Sequence, residues 1–325
     1  MRAIVISKPG GPEVLEIREV PTPDPGPGEI RVRVGAFGIN RADLLQRRGM
    51  YAAPPGSPQD ILGLEYAGVV DARGAGVQGF AVGDRVMGIV GGGGYAEYVV
   101  TPAPQALAVP ASLTIEEAAA IPEAFLTAYD ALEQLEVKES EWVVVHAVGS
   151  GVGTAAVQLI RARGARSIGT SRTPAKLERA LSLGMDEGLD GSTEELVANV
   201  RRITGQGAHA AMDLIGGPGF NETLRALVPR GRSIIVGLTA GSRAEVDLGL
   251  ILRQRLRIVG TTMRVRSAAE KAALSRSFGQ HVLPHFAADR IRPVVDRVYD
   301  FDQVREAHET MESNANFGKV VVRVP

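Results

Sequence analysis

The 325-residue chain has no cysteine. Disulfides, thiolate metal sites, iron–sulfur clusters and a cysteine nucleophile are therefore excluded. Aromatics are scarce at 5%, with a single tryptophan. That is too few for the basic face with interleaved rings that nucleic-acid binding would need. Neither sign of charge dominates, since 36 Lys+Arg against 37 Asp+Glu leave a net charge of −1. A broad polyanion-binding surface is not expected. No apolar run approaches the roughly 20 residues of a membrane span. The opening Met1-Arg-Ala-Ile-Val-Ile-Ser-Lys-Pro-Gly10 has too short an apolar stretch for a secretory signal, and Pro9-Gly10 ends it. A cytoplasmic protein with no membrane and no nucleic-acid partner is expected.

Hydrophobic residues, at 45%, and 39 glycines are plentiful. The first third reads as short β-branched runs separated by turn clusters such as Pro21–Gly28 and Gly91–Gly94. These runs are Arg2–Ser7, Val14–Val20, Glu29–Gly38, Gly63–Arg73, Asp84–Val90 and Tyr95–Val100, and they suggest a small barrel or sandwich. Thr114 and Glu117 form a capping-box pattern ahead of a helical stretch. From Glu141 the pattern changes to alternating strands and helices, the signature of a parallel sheet covered on both faces. Strands are expected at Trp142–Ala147, Arg166–Ser171, Ala210–Ile215, Gly231–Gly237 and Arg257–Thr261. Helices are expected at Gly151–Arg163, from Thr173, and at Phe220–Leu227. Beyond Ser267 a helix to about His281 is followed by strand, helix and strand, with Asp302 as the N-cap of the later helix. The fold class is α/β: a β-rich domain plus a doubly wound parallel sheet. The boundaries are 1–123, 124–266 and a tail, 267–325, that returns to the first domain.

The most informative segment is Val143-Val-Val-His-Ala-Val-Gly149-Ser-Gly151-Val-Gly153-Thr-Ala155. A buried strand enters a glycine turn and a helix begins. Unpaired N–H groups and the helix dipole at such a place favour phosphate. The pattern is not a strict G-x-G-x-x-G, because Thr154 takes the sixth place; a plain tight turn would also fit. Dinucleotide binding has a second checkpoint, a carboxylate at the end of the second strand that grips the ribose of NAD. Here that region is Gly169-Thr-Ser171-Arg172-Thr-Pro-Ala-Lys176, with no acid before Glu178. Ser171, Arg172 and Lys176 suit a 2′-phosphate, so NADPH is the expected cofactor. The alternative is that the two cations are ordinary solvated charges. Later strand ends, Asp213-Leu-Ile-Gly-Gly217, Gly237-Leu-Thr-Ala-Gly241 and Thr261-Thr-Met263, could border the nicotinamide or be structural turns.

Several motifs together resemble a known family: Lys8-Pro-Gly-Gly-Pro12, Asn40-Arg-Ala-Asp43, Gly49-Met-Tyr51, Gly63-Leu-Glu65-x-x-Gly68, Gly83-Asp-Arg-Val86, Ala119-Ala-Ile-Pro122, Leu126-Thr-Ala128, the 146–155 turn, Ile215-Gly-Gly217, Leu283-Pro-His285 and Gly318-Lys-Val320. The whole chain is similar to the zinc-independent branch of the medium-chain dehydrogenase/reductase superfamily. Its nearest likeness there is to the zeta-crystallin-like quinone oxidoreductases and their tumour-suppressor-inducible subgroup. The resemblance implies a GroES-like catalytic domain, a Rossmann domain, NADPH as hydride donor, a quinone-type acceptor and a homodimer along the last Rossmann strand. It implies that Ser150, Gly151, Val152 and Gly153 cradle the pyrophosphate and that Ser171 and Lys176 hold the 2′-phosphate. Gly217, Gly237, Leu238, Thr239, Ala240, Thr261, Thr262, Met263 and Lys319 complete the cofactor set. Asn40, Tyr51 and Thr127 would line the cleft at the nicotinamide as catalytic residues. Where many relatives carry Tyr or His on the adenosine side, this chain has Gly191. Zinc-dependent cousins carry Cys at Asn40 and His at Leu64, so no metal is expected.

A quinone accepts hydride readily, and solvent can protonate its oxygens, so no dedicated acid is expected. Tyr51 is the candidate to bond a substrate carbonyl, or it packs the cleft. Asn40 and Thr127 are donors or satisfied buried groups. His281 and His285, interrupted by Pro284, are not expected to form a metal site. The run Arg253, Arg255, Arg257, Arg264 and Arg266 reads as a solvated face. Two other functions remain open: an NADPH-dependent enoyl or alkenal reductase, and a non-catalytic NADPH-binding protein.

Overall fold

The computed structural model describes residues 1–191 and 195–325. The described chain forms two units, Met1–Leu126 with Met263–Pro325, and Thr127–Thr262. In chain order the first unit contains β1 (Arg2–Ile6), β2 (Leu15–Glu19), β3 (Glu29–Gly38), α1 (Arg41–Arg47), β4 (Glu65–Arg73), β5 (Arg85–Ile89), β6 (Tyr98–Pro102), β7 (Ala106–Ala108) and α2 (Ile115–Ala119). Helix α3 (Pro122–Gln134) leads into the second unit. There follow β8 (Trp142–Val145), α4 (Gly151–Ala162), β9 (Arg166–Ser171), α5 (Pro174–Ser182), β10 (Glu187–Asp190), α6 (Leu196–Thr204), β11 (Ala208–Asp213), α7 (Phe220–Arg225), β12 (Leu227–Ile235), α8 (Leu248–Gln254) and β13 (Arg257–Gly260). The first unit resumes with α9 (Ala268–His281), α10 (Leu283–Ala287), β14 (Val295–Asp300), α11 (Val304–Glu312) and β15 (Lys319–Arg323).

In the first unit β3 is the hub. It pairs antiparallel with β4, β6 and β15 in a seven-stranded sheet of order β14-β15-β3-β4-β5-β7. Its Ile30, Val32 and Val34 alternate with Arg31 and Arg33 and enter the core, as one buried face requires. Phe37 stacks on Tyr95 with ring centres 4.2 Å apart. The C-terminal β15 lies between β14 and β3, so the tail is built into this sheet.

The second unit is a six-stranded parallel sheet of order β10-β9-β8-β11-β12-β13. The order reverses on either side of β8, the place where ligands bind in doubly wound folds. Val143, Val144 and Val145 are buried, as a central strand covered on both faces demands.

Several expectations are corrected. No strand begins at Tyr95; its N–H bonds Leu62 O and its carbonyl accepts from Ile4 of β1, and the strand starts at Tyr98. Asp302 is not an N-cap. It lies inside a 3₁₀ turn, Phe301–Gln303, ahead of α11. Strand β10 and helices α6 and α8 lie outside the sequence expectation.

Candidate active site

The glycine turn carries the chain from β8 into α4. Ser150 is the N-cap, and its Oγ accepts the Gly153 N–H at 3.0 Å. A Cβ on Gly153 would stand 2.6 Å from Val148 O and 2.7 Å from Ala147 O, so only glycine lets the helix start so close to the turn. A Cβ on Gly149 would stand 2.7 Å from Lys176 Cδ. The stem of Lys176 therefore lies across the turn, which joins the basic residue of α5 to the phosphate-binding loop. Ser171 ends β9, and its Oγ accepts from Thr173 N at 3.1 Å. Arg172 beside it is exposed. Gly191 N–H bonds Ser171 O at 3.0 Å, and a Cβ there would meet only ordinary contacts at 3.6 Å. The turn, the end of β9 and Gly191 thus share one corner of the sheet. A strand–turn–helix with a glycine-only approach and two adjacent cations fits a nicotinamide dinucleotide.

The next two strand ends press on each other. Ala240 N–H bonds Ile215 O at 2.7 Å, and a Cβ on Gly217 would lie 2.6 Å from Ala240 O. Asp213 Oδ1 holds the Ile215 and Gly216 N–H groups at 2.8 Å each. Gly217, Gly237, Leu238, Thr239 and Ala240 are so gathered in one double loop, with Leu238, Thr239 and Ala240 exposed. His146, buried beneath, bonds Thr170 Oγ1 at 3.0 Å and Thr223 Oγ1 at 2.8 Å. Burial lowers its pKa while Asp213 opposes, so it is a neutral structural link.

Thr261, expected beside the cofactor, has its hydroxyl engaged by α3. Its hydroxyl donates to Asp130 Oδ2 at 3.0 Å and accepts from Gln134 Nε2 at 3.0 Å, which fixes β13 to α3. Thr127 is buried on the same helix; Thr262 is exposed. Met263, the first residue of the returning segment, is buried.

The first unit holds a buried polar cluster whose key member, Glu65, had no predicted role. Glu65 is fully buried. Its Oε1 receives Lys319 Nζ at 2.5 Å and Asn40 Nδ2 at 2.8 Å, and its Oε2 receives the Glu123 N–H at 2.8 Å. Lys319 also donates to Asn40 Oδ1 at 2.6 Å and Ile39 O at 3.0 Å. All three ammonium protons are spent within the protein. Lys319 is therefore not a free charge for a cofactor, and that expectation is corrected. Asn40 is corrected too: Nδ2 faces Glu65 and, at 3.4 Å, Gly38 O, leaving no N–H for a substrate.

Behind Asn40 runs an ordered chain. Asp43 Oδ2 accepts from Asn40 N at 2.8 Å and from Tyr95 OH at 2.9 Å. Tyr95 is 3.1 Å from His308 Nε2, and His308 Nδ1 is 3.0 Å from Arg47 Nη1. Arg47 can only donate, so the neutral ring carries its proton on Nε2 and gives it to Tyr95. Burial pushes Asp43 up to about 6, and burial with the Arg47 charge brings His308 down to about 3.

Tyr51 belongs to another set. The Arg264 guanidinium sits 4.7 Å from its ring centre, and Arg264 Nη1 bonds Tyr51 O at 3.2 Å. Arg264 also bonds Gly91 O and Gln46 Oε1 and is 6% exposed. The solvated-face expectation fails for this arginine, which lies beyond β13 and packs into the first unit. The stack uses the ring face and backbone of Tyr51 and leaves its hydroxyl available. Among the described residues no cluster of three or more His, Cys, Asp or Glu could hold a metal ion, and no helix is long and apolar enough to cross a membrane.

Two family models match the chain, an alcohol dehydrogenase GroES-like domain over residues 26–111 and a zinc-binding dehydrogenase over residues 151–282. The human synaptic vesicle membrane protein VAT-1 homolog-like is 30% identical across 100% of this chain and 81% of its own length. The crystal structure of an NAD-dependent alcohol dehydrogenase is 37% identical with a TM-score of 0.90, covering 100% of both chains. The Escherichia coli quinone oxidoreductase, solved in complex with NADPH, is 31% identical with a TM-score of 0.88, covering 99% of this chain and 100% of its own.

Proposed function

The chain belongs to the medium-chain dehydrogenase/reductase superfamily, and from that premise we propose that it is a metal-independent, NADPH-dependent quinone oxidoreductase. The observation that carries this reading is the Asn40–Glu65–Lys319 cluster. At the position where zinc-dependent members carry a cysteine, Asn40 spends its amide on Glu65 and Lys319. A lysine ammonium fills the place of positive charge, so nothing remains there to ligate a cation. Without a Lewis acid to acidify an alcohol, an acceptor that takes hydride readily is the better substrate.

Bound NADPH supplies the hydride. Ser150 to Gly153 would hold the pyrophosphate on main-chain N–H groups, and Arg172 and Lys176 the 2′-phosphate. The double loop at Gly217 and Gly237–Ala240 would border the nicotinamide ribose. The Tyr51 hydroxyl would orient the acceptor carbonyl, with its ring fixed by Arg264. The E. coli quinone oxidoreductase crystallised with NADPH supports both cofactor and acceptor. We also place a homodimer along β13, an edge strand with exposed Ile258, beside the exposed Leu248 and Leu252 of α8.

The test is NADPH oxidation with a panel of ortho- and para-quinones. Turnover with NADPH at least about tenfold better than with NADH is expected, weakened by Arg172→Glu with Lys176→Glu. Retained NADPH binding with no quinone turnover rejects the reading in favour of a binding protein. Faster turnover on enones moves it to an alkenal reductase.

A further inference from the structure

We propose that a basic cleft among the helices of the second unit binds a small multivalent phosphate anion, such as the phosphate end of a metabolite. The cleft has a volume of about 370 Å³ and lies where α6, α7 and α8 meet. Its walls are Arg201 of α6, Asn221 and Arg225 of α7, Asp247 at the N-cap of α8, and Leu250 and Arg253 of α8. Three guanidiniums carried by three different helices thus share one depression with a single carboxylate. None of these residues belongs to the glycine turn, the end of β9 or the double loop, so the site is separate from the cofactor residues and does not depend on the oxidoreductase reading.

The walls are fixed and the cations are not. Asp247 N–H bonds Asn221 Oδ1 at 3.0 Å, and Asp247 Oδ1 accepts the Leu250 N–H at 3.0 Å, which ties the start of α8 to α7. Leu250 packs against the core that holds Phe220 and Leu224 of α7. Arg253 Nη2, by contrast, lies 3.5 Å from Asp247 Oδ2, and Arg225 Nη1 lies 3.4 Å from Glu222 Oε1, a residue outside the lining. Charge-assisted bonds normally run to about 2.7–2.9 Å, and elsewhere in the chain Arg31 meets Asp71 at 2.7 Å and Arg163 meets Glu133 at 2.6 Å. Arg201 makes no ion pair among the described residues. A surface arginine is ordinarily solvated by itself. Three that converge on one concavity repel each other, and an anion seated between them turns that repulsion into attraction.

The donor set selects phosphate. Each guanidinium offers a planar fork of N–H groups that fits two phosphate oxygens, and a tetrahedral group can take such forks from several sides at once. A carboxylate has two oxygens in one plane and satisfies one fork. Asn221 spends its carbonyl oxygen on the Asp247 N–H, so its amide nitrogen is left to donate to a further oxygen. With one carboxylate among three guanidiniums, an anion of charge two or more balances the cleft.

The probe is inorganic pyrophosphate, titrated calorimetrically into the protein saturated with NADPH so that the cofactor residues are occupied. One equivalent should bind, saturating below about 1 mM at low salt, and should weaken as KCl is raised. Arg201→Gln with Arg253→Gln should weaken binding at least about tenfold. Asn221→Asp keeps the acceptor for the Asp247 N–H but replaces the amide donor by a negative charge, and should weaken it as much. Arg230→Gln, at an exposed arginine outside the lining, should stay within about twofold of the parent. A protein that takes up no NADPH fails the cofactor reading alone, and the same titration in the chain carrying Arg172→Glu with Lys176→Glu then tests the cleft. No binding of pyrophosphate at millimolar concentration, or an affinity unmoved by Arg201→Gln with Arg253→Gln, overturns the site. An acidic peptide that binds more tightly than pyrophosphate, and is lost in the same variants, overturns the small-anion assignment in favour of a protein partner.

Discussion

Lysine 319 shows how a single side chain decides the character of a site. A buried ion pair gains little over an apolar pair, but losing one partner strands the other. Lys319→Met should destabilise the protein by about 3–5 kcal/mol, because Glu65 is left charged and fully buried. Adding Glu65→Gln should recover most of that loss, and urea unfolding of the single and double variants measures it. Equal stability of the two variants would remove the pair from this account. The sequence shows Glu65 only as one letter of a motif. Its partners are 25, 58 and 254 positions away, and no local pattern reports pairing at that range. Asn40 and Lys319 are visible as motif residues, yet what they do is set by the carboxylate they share.

At the scale of elements, strands and turns with a strong local signal are the ones the sequence reveals. The apolar run Val143–Val145, the glycine turn and the Ser267 capping box all carry their own chemistry. β10 does not, since Glu-Gly-Leu-Asp has one buried residue and no β-branched side chain. Helix α8 buries no residue fully; Leu250 and Ile251 pack only partly buried against the core, so its apolar stripe is weak. Its Leu248 and Leu252 are instead 74% and 76% exposed, one turn apart, on the helix that leads into the edge strand β13. Two such leucines are costly in water and fit a partner surface. Leu248→Lys with Leu252→Lys should convert the proposed dimer to a monomer in sedimentation analysis while leaving the unfolding midpoint little changed. A dimer that survives both charges would place the interface elsewhere.

For the whole molecule, the buried polar chain sets a dependence of stability on pH. His308 is neutral in the folded state, with its pKa at about 3 against an ordinary 6.5. Below 6.5 the unfolded chain takes up a proton that the folded chain refuses. The stabilisation is complete above pH 6.5 and is lost as pH falls towards 3, at about 1.4 kcal/mol per pKa unit. Urea unfolding should show stability dropping through that window, and His308→Gln should make the drop shallower. Identical slopes would show that His308 carries none of it. The division into a β-rich unit and a parallel-sheet unit was legible from the change of pattern near Glu141. The hydrogen-bonded thread from Arg47 to Asp43 was not, because it draws on helices that begin and end the chain.

Because β15 occupies an interior place between β14 and β3, protein synthesis imposes an order on assembly. The parallel-sheet unit is one continuous stretch and has all its strands once residue 262 has left the ribosome. The seven-stranded sheet lacks the strand between β14 and β3 until Lys319–Arg323 emerges, so a nascent chain stalled short of Lys319 would expose that end of β3 to any strand that came near.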